Sequence, residues 1–258
     1  MSARINTTIE EREQGRVARI TIDNPGKINV IGTDAMRAII AALTEVSADP
    51  ALRAVVLAGA GDRAFIGGVD INEMSALTPA TGRALIELLH GVSVAVQACP
   101  VPVIARLQGY TLGGGLEIAA ACDMRIAAEG SKFGMPETRI GIPSVIEAAL
   151  LPQLIGWGRT RRILFTGEIF GADKAEAWGL VEEVVPAAGL DAAIERVLAD
   201  ILACGPRAIR LQKRLMQQWE ELPPSKAVAA GIDCFEESWR DPEPARMMAA
   251  FLAAKRKG

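Results

Sequence analysis

Three consecutive glycines, Gly113-Gly114-Gly115, separate an apolar run at 101–107 from the helix-forming stretch Leu116-Glu117-Ile118-Ala119-Ala120-Ala121. The run reads as a buried strand, so the glycines mark a strand-to-helix turn. Side-chain-free residues there let backbone approach another group closely, and the free N–H groups of the helix N-terminus point at that group. Glu117 falls in the first turn of the helix. A second carboxylate, Glu137, follows twenty residues later behind its own Gly134-Met135-Pro136 turn. Amide donors beside two carboxylates fit stabilisation of a developing oxyanion with acid–base chemistry next to it. The segment 107–137 is the expected active site.

The rest of the composition narrows the function class. At 258 residues, half of them apolar, the chain can bury a large core as one domain with an appendage. A net charge of −3 carries no basic footprint, which argues against nucleic acid as a partner. Cys99, Cys122, Cys204 and Cys234 are scattered beside a single histidine, a pattern without metal-ligand spacing. With no signal peptide and no apolar run of spanning length, a cytoplasmic protein with reduced thiols and no membrane association is expected.

Along the chain, 17–23 alternates as a strand and ends at Asn24-Pro25-Gly26. A helix capped by Thr33 or Asp34 runs to about residue 46. Residues 54–58 form an apolar strand, and the next glycine turn, Gly67-Gly68-Val69-Asp70, opens a short helix. Residues 80–98 are helical, 124–127 form a strand, and helix dominates from 144 apart from a strand at 181–185. Beyond Leu190 the pattern is all helix. An α/β core at 1–190 with a helical region at 191–258 follows.

Gly59-Ala60-Gly61-Asp62-Arg63-Ala64 matches a dinucleotide fingerprint in letters only. No helix opens from it, and Pro79 and Ala80 stand where the ribose-binding acid belongs, so it reads as a turn.

Several motifs occur in series: Ala64-Phe65-x-x-Gly68-x-Asp70-Ile71-x-Glu73-Met74, Gly109-Tyr110-x-x-Gly113-Gly114-Gly115-x-Glu117, Cys122-Asp123-x-Arg125-Ile126-Ala127, Phe133-Gly134-x-Pro136-Glu137, Leu164-x-Thr166-Gly167 and Trp178-Gly179-Leu180-Val181. In this order and spacing the chain resembles the enoyl-CoA hydratase/isomerase (crotonase) superfamily over nearly its whole length, and is most like an enoyl-CoA hydratase. The resemblance implies a spiral of ββα turns followed by C-terminal helices that form trimers or hexamers. It implies an acyl-CoA substrate, with coenzyme A as part of that substrate and no other cofactor. By motif position, the backbone N–H groups of Val69 and Gly114 would hold the thioester oxygen, and Val69, Asp70, Ile71, Asn72 and Gly114 would line the CoA site. Glu117 and Glu137 would place water and move its protons. Hydration needs one carboxylate as base and the other as acid, and needs no metal, histidine or cysteine.

Three departures bear on the reaction. Hydratases of this family usually carry alanine at the position of Val69 and often lysine at that of Asn72. The loop 141–147, Gly-Ile-Pro-Ser-Val-Ile-Glu, is shorter than usual and lacks glycine after its proline. The changed loop keeps isomerisation and other enolate chemistry open beside hydration, and a catalytically silent acyl-CoA-binding member is the alternative from another class. Glu147 has two readings, a third acid or the far end of a Ser144-x-x-Glu147 capping box; the apolar run that follows favours the cap. His90, in a helix with no acid near it in sequence, reads as a packed or partly exposed helix residue. Arg159, Arg161, Arg162 and the tail Lys255-Arg256-Lys257 read as solvated faces, and the stripe Leu211, Leu215, Met216 as core or subunit interface.

Overall fold

A computed structural model describes residues 3–256. The chain opens with an antiparallel hairpin of β1 (Arg4–Arg12) and β2 (Gly15–Asp23), then α1 (Thr33–Ser47). Three passes of similar course follow. The first comprises β3 (Leu52–Gly59), β4 (Ala64–Ile66), α2 (Ile71–Ser75) and α3 (Pro79–Ala98). The second is β5 (Val103–Leu107), β6 (Tyr110–Leu112) and α4 (Gly114–Ala121). The third runs through β7 (Met124–Ala128), β8 (Lys132–Gly134), two 3-10 turns at Glu137–Ile140 and Ile146–Leu150, α5 (Leu151–Ile155) and α6 (Trp157–Thr166). β9 (Ile169–Gly171), α7 (Ala172–Trp178) and β10 (Glu183–Val185) close the winding. Helices α8 (Leu190–Ala203), α9 (Pro206–Glu221), α10 (Pro224–Ser238) and α11 (Glu243–Lys255) end the chain.

Each pass returns in the same sense, so its strands stack on those of the pass before. The long strands form one sheet in the order β1-β2-β3-β5-β7-β10, parallel after the first pair; the three-residue strands form a second in the order β4-β6-β8-β9. This is the expected α/β spiral of ββα turns. The second sheet is not anticipated from the sequence, nor is β1, whose polar face lies at the sheet edge.

The long sheet is covered on both faces, which explains its nearly continuous apolar strands. Along β3, Val55 and Leu57 point into the main core with α1, α3 and α4, while Ala54 and Val56 face α8 through Ile194, Leu198 and Ile201. Burying each such Val or Leu is worth about 1.5–3 kcal/mol. Among the described residues no helix is long and apolar enough to cross a membrane.

Two local details bear on readings made from the sequence, one correcting it and one agreeing with it. The N-cap of α1 is Gly32, not Thr33 or Asp34, and the cap comes from another element: Glu73 Oε2 accepts the Thr33 N–H and hydroxyl, both at 2.9 Å. The turn at 59–64 is filled from inside by buried Asn29, whose Nδ2 donates to the carbonyls of Ala60 (3.0 Å) and Ala64 (2.7 Å). It is an internally satisfied turn, as expected.

Candidate active site

The two glycine turns meet. Gly113 is the N-cap of α4 at φ +53, and a Cβ there would stand 2.4 Å from Glu137 Oε1. Only glycine permits both the conformation and the approach of the carboxylate. On the next residue, a Cβ at Gly114 would lie 3.2 Å from Val69 Cγ2, so the second turn is in contact range of the first. Val69 sits in a parallel bridge with Ile31 that uses its neighbours' groups: Ile31 N–H donates to Gly68 C=O (3.0 Å) and Asp70 N–H to Ile31 C=O (2.9 Å). That leaves the Val69 N–H on the opposite edge. The Gly114 N–H opens a helix and has no carbonyl behind it. Neither N–H has a hydrogen-bond acceptor among the described residues.

Beside these donors stand both glutamates, in different surroundings. Glu117 is buried on α4, where Oε1 accepts the Ala148 N–H at 3.2 Å. Burial pushes its carboxyl up to about 8, and the charges of Glu137 and Glu147 add to the effect; backbone N–H donors at Ala148 and Val145 oppose it. Glu137, half-buried, begins a 3-10 turn behind Pro136, and its Oε2 accepts the Ser144 hydroxyl at 2.8 Å.

The segment 144–148 therefore serves both carboxylates, and it corrects the capping-box reading. The 3-10 turn starts from Val145 with no side-chain cap, because Ser144 is committed to Glu137 and Glu147 turns away to meet His90 Nδ1 at 2.6 Å. A carboxylate has no proton to donate, so Nδ1 carries the hydrogen. The acid that sequence did not place near His90 arrives from 57 residues away. Between Val145 and Glu147, Ile146 adopts φ +39, a conformation costing a β-branched residue about 1–3 kcal/mol.

The two N–H positions, the two glutamates and Ser144 line a cavity of about 420 Å³. Val69, Asp70, Ile71, Asn72, Gly114, Glu117 and Glu137 all lie on it, so every site residue named from sequence is brought to one place. Its walls are largely apolar, including Leu85, Leu89, Leu112, Ile142 and Val145. Asp70 also caps α2 by accepting the Asn72 N–H at 2.9 Å, and Asn72 Nδ2 donates to the same oxygen. Sequence reasoning missed the cavity's two cations, Lys27 and Arg139, and the role of Ser144. Lys27 Nζ lies 3.7 Å from Asp70 Oδ2 and supplies a positive charge beside Asp70 and Asn72. Arg159, Arg161 and Arg162 are engaged elsewhere: the first two stack over Trp178 and Trp157, and Arg162 pairs with Glu168 at 2.6 Å. Lys255 and Arg256 are exposed; Lys257 lies outside the described residues.

Comparison with known proteins agrees with this geometry. The profile of the family described as enoyl-CoA hydratase/isomerase matches residues 12–257. The short-chain-enoyl-CoA hydratase of Clostridium acetobutylicum is 33% identical over 254 residues, covering 98% of this chain and 97% of its own length. The crotonyl-CoA hydratase of Syntrophomonas wolfei is 34% identical over 253 residues, covering 98% and 96%. Among solved structures, the enoyl-CoA hydratase of Bacillus anthracis superposes with a TM-score of 0.91 at 28% identity, over 96% of each chain. The chain belongs to the enoyl-CoA hydratase/isomerase family.

Proposed function

We propose that this protein is an enoyl-CoA hydratase, adding water across the 2,3 double bond of an enoyl-CoA thioester. The observation that carries the reading is the meeting of two acceptor-free N–H groups, at Val69 and Gly114, with a carboxylate pair that retains a proton at neutral pH. Attack of water at the β-carbon moves an electron pair from the C=C bond towards the thioester oxygen. The two N–H groups receive that charge; each such donor contributes about 10²–10³ in rate. Water loses a proton as the C–O bond forms, and the enolate collapses by taking a proton at the α-carbon. One carboxylate must arrive charged and the other protonated, and a pair holding a single proton meets that requirement.

In this scheme Glu117 orients and deprotonates the water, and Glu137 protonates the α-carbon. In the empty site the proton rests on Glu117, because burial disfavours its charge. The assigned roles require the pair's single proton to sit on Glu137 when water attacks, so that Glu117 is free to accept the water proton. The CoA portion lies along residues 69–72, with Lys27 and Arg139 available to its phosphates, and the acyl chain lies along the apolar wall. The reading is supported by the two relatives, a short-chain-enoyl-CoA hydratase and a crotonyl-CoA hydratase. Mixing the protein with crotonyl-CoA and following loss of the conjugated thioester absorbance tests it: catalytic decay is expected, and no decay beyond the buffer rate contradicts it.

We also propose assembly into trimers, or hexamers as pairs of trimers. Helices α10 and α11 expose Val228, Ile232, Phe235, Met248 and Phe251, and Trp239 just after α10 is exposed beside them, apolar side chains that a subunit interface would cover. Sedimentation at micromolar concentration should give at least three subunits; a monomer contradicts the assembly.

A further inference from the structure

We propose that the His90–Glu147 pair is a brace that holds the 144–148 turn, and through it both carboxylates, in working geometry. His90 and Glu147 are positioning residues, since neither lines the cavity. The inference rests on the assignment of Glu117 and Glu137 as the working acid–base pair.

Four observations carry it. First, this one turn supplies hydrogen bonds to both glutamates: the Ser144 hydroxyl to Glu137, and the Ala148 N–H to Glu117. A shift of the turn moves the partners of both at once. Second, the turn contains no glycine, yet Ile146 sits at φ +39, a conformation that persists only where surrounding contacts over-determine it. Third, the contact between Glu147 Oε1 and His90 Nδ1 is the only hydrogen bond among the described residues that ties 144–148 to α3, the 20-residue helix whose Leu85 and Leu89 form a cavity wall. Fourth, Glu147 is a poor choice for stability alone. Its side chain is 7% exposed, Oε1 has one partner, and Oε2 is buried with none. A buried carboxylate so sparsely satisfied is worse for stability than an apolar residue of that size. What it gains is a directed tie from a strained turn to a rigid helix.

The test compares His90→Leu, which removes the donor, with His90→Asn, whose amide nitrogen can take the place of Nδ1. Two readouts are used: kcat and KM for crotonyl-CoA hydration, and exchange of the α-protons of butyryl-CoA with D2O, which needs the oxyanion donors and a base but no hydration. His90→Leu should lower kcat about 10- to 100-fold, as misplacement of catalytic groups does, with KM within about twofold. The exchange rate should fall in parallel, and His90→Asn should restore both to within about threefold of wild type. Glu147→Leu should repeat the loss and serves if His90→Leu does not fold. Wild-type kcat in both leucine variants overturns the brace; so does an equal loss in His90→Leu and His90→Asn, or a rise in KM at constant kcat. Wild-type protein that exchanges α-protons without hydrating crotonyl-CoA contradicts the hydratase reading, while the exchange ratios still judge the brace. Wild-type protein inert in both assays overturns both.

Discussion

Glu117 and Glu137 share one cavity, yet they are held in opposite ways. Glu117 projects from a helix, is sealed from water and takes its hydrogen bond from a backbone amide, that of Ala148. Glu137 opens a short turn at the cavity, half-buried, with a serine hydroxyl on one oxygen and the side-chain-free Gly113 under the other. Environment, not residue type, separates them: burial and the neighbouring charges keep a proton on Glu117 up to about pH 8. Like-charged carboxylates in one site do not both ionise readily, and that asymmetry is what an acid–base pair requires.

The sharpest way to break this contrast is to remove either carboxylate. Glu117→Gln and Glu137→Gln should each lower kcat for hydration by about 10²–10⁴. KM should change little, because the CoA contacts and oxyanion donors remain, and the double variant should be little worse than the worse single one. An isomerase would need one carboxylate as a proton shuttle, so a single dead variant beside a fully active one contradicts the hydratase assignment. Full turnover in both refutes the pair altogether.

Stability gives a second contrast, specific to Glu117. Its carboxyl titrates near 8 when folded and near its ordinary 4.5 when unfolded. Below pH 4.5 it is protonated in both states and makes no difference. Between 4.5 and 8 the folded chain keeps a proton that the unfolded chain gives up, so stability falls as pH rises, and the cost is complete above 8. At 1.36 kcal/mol per pKa unit the cost is on the order of 5 kcal/mol. Urea unfolding should therefore find Glu117→Gln more stable than wild type at pH 9 and about equal at pH 4. Equal stability at both values would mean that the Glu117 carboxyl is not raised.

A smaller effect isolates Glu137. Ser144→Ala deletes the only side-chain hydrogen bond to its carboxylate among the described residues and should lower kcat about tenfold, the worth of a hydrogen bond to a charged group. Smallest of all, Val69→Ala should leave turnover nearly unchanged, since the backbone N–H survives and the pocket widens. A folded, CoA-binding Val69→Ala variant without activity would contradict a backbone role at that position.

What was legible in the sequence follows the range of the forces involved. Strands β2, β3, β5 and β7 carry five or more residues of apolar pattern, and the glycine turns announce themselves through residues that only close backbone approach requires. Strands β4, β6, β8 and β9 are three residues each, too short for any periodicity; they exist because successive turns of the spiral stack. Strand β1 is an edge strand with charged residues at both ends and little apolar alternation. Within the site, residues carried by contiguous motifs were found, and those placed by long-range packing were not. Lys27 and Arg139 reach the cavity from separate turns. Ser144 and Glu147 have the spacing of a local cap, but the tertiary partners Glu137 and His90 claim both side chains.

The most direct measurement is the pH profile of kcat/KM for crotonyl-CoA hydration, which reports the ionisations of the free enzyme. If the working state is a carboxylate pair holding one proton, the rate should fall as pH rises through about 8, where that proton leaves the Glu117 site. A rate that stays flat from pH 7 to about 10 would contradict the shared proton and, with it, the division of labour between Glu117 and Glu137.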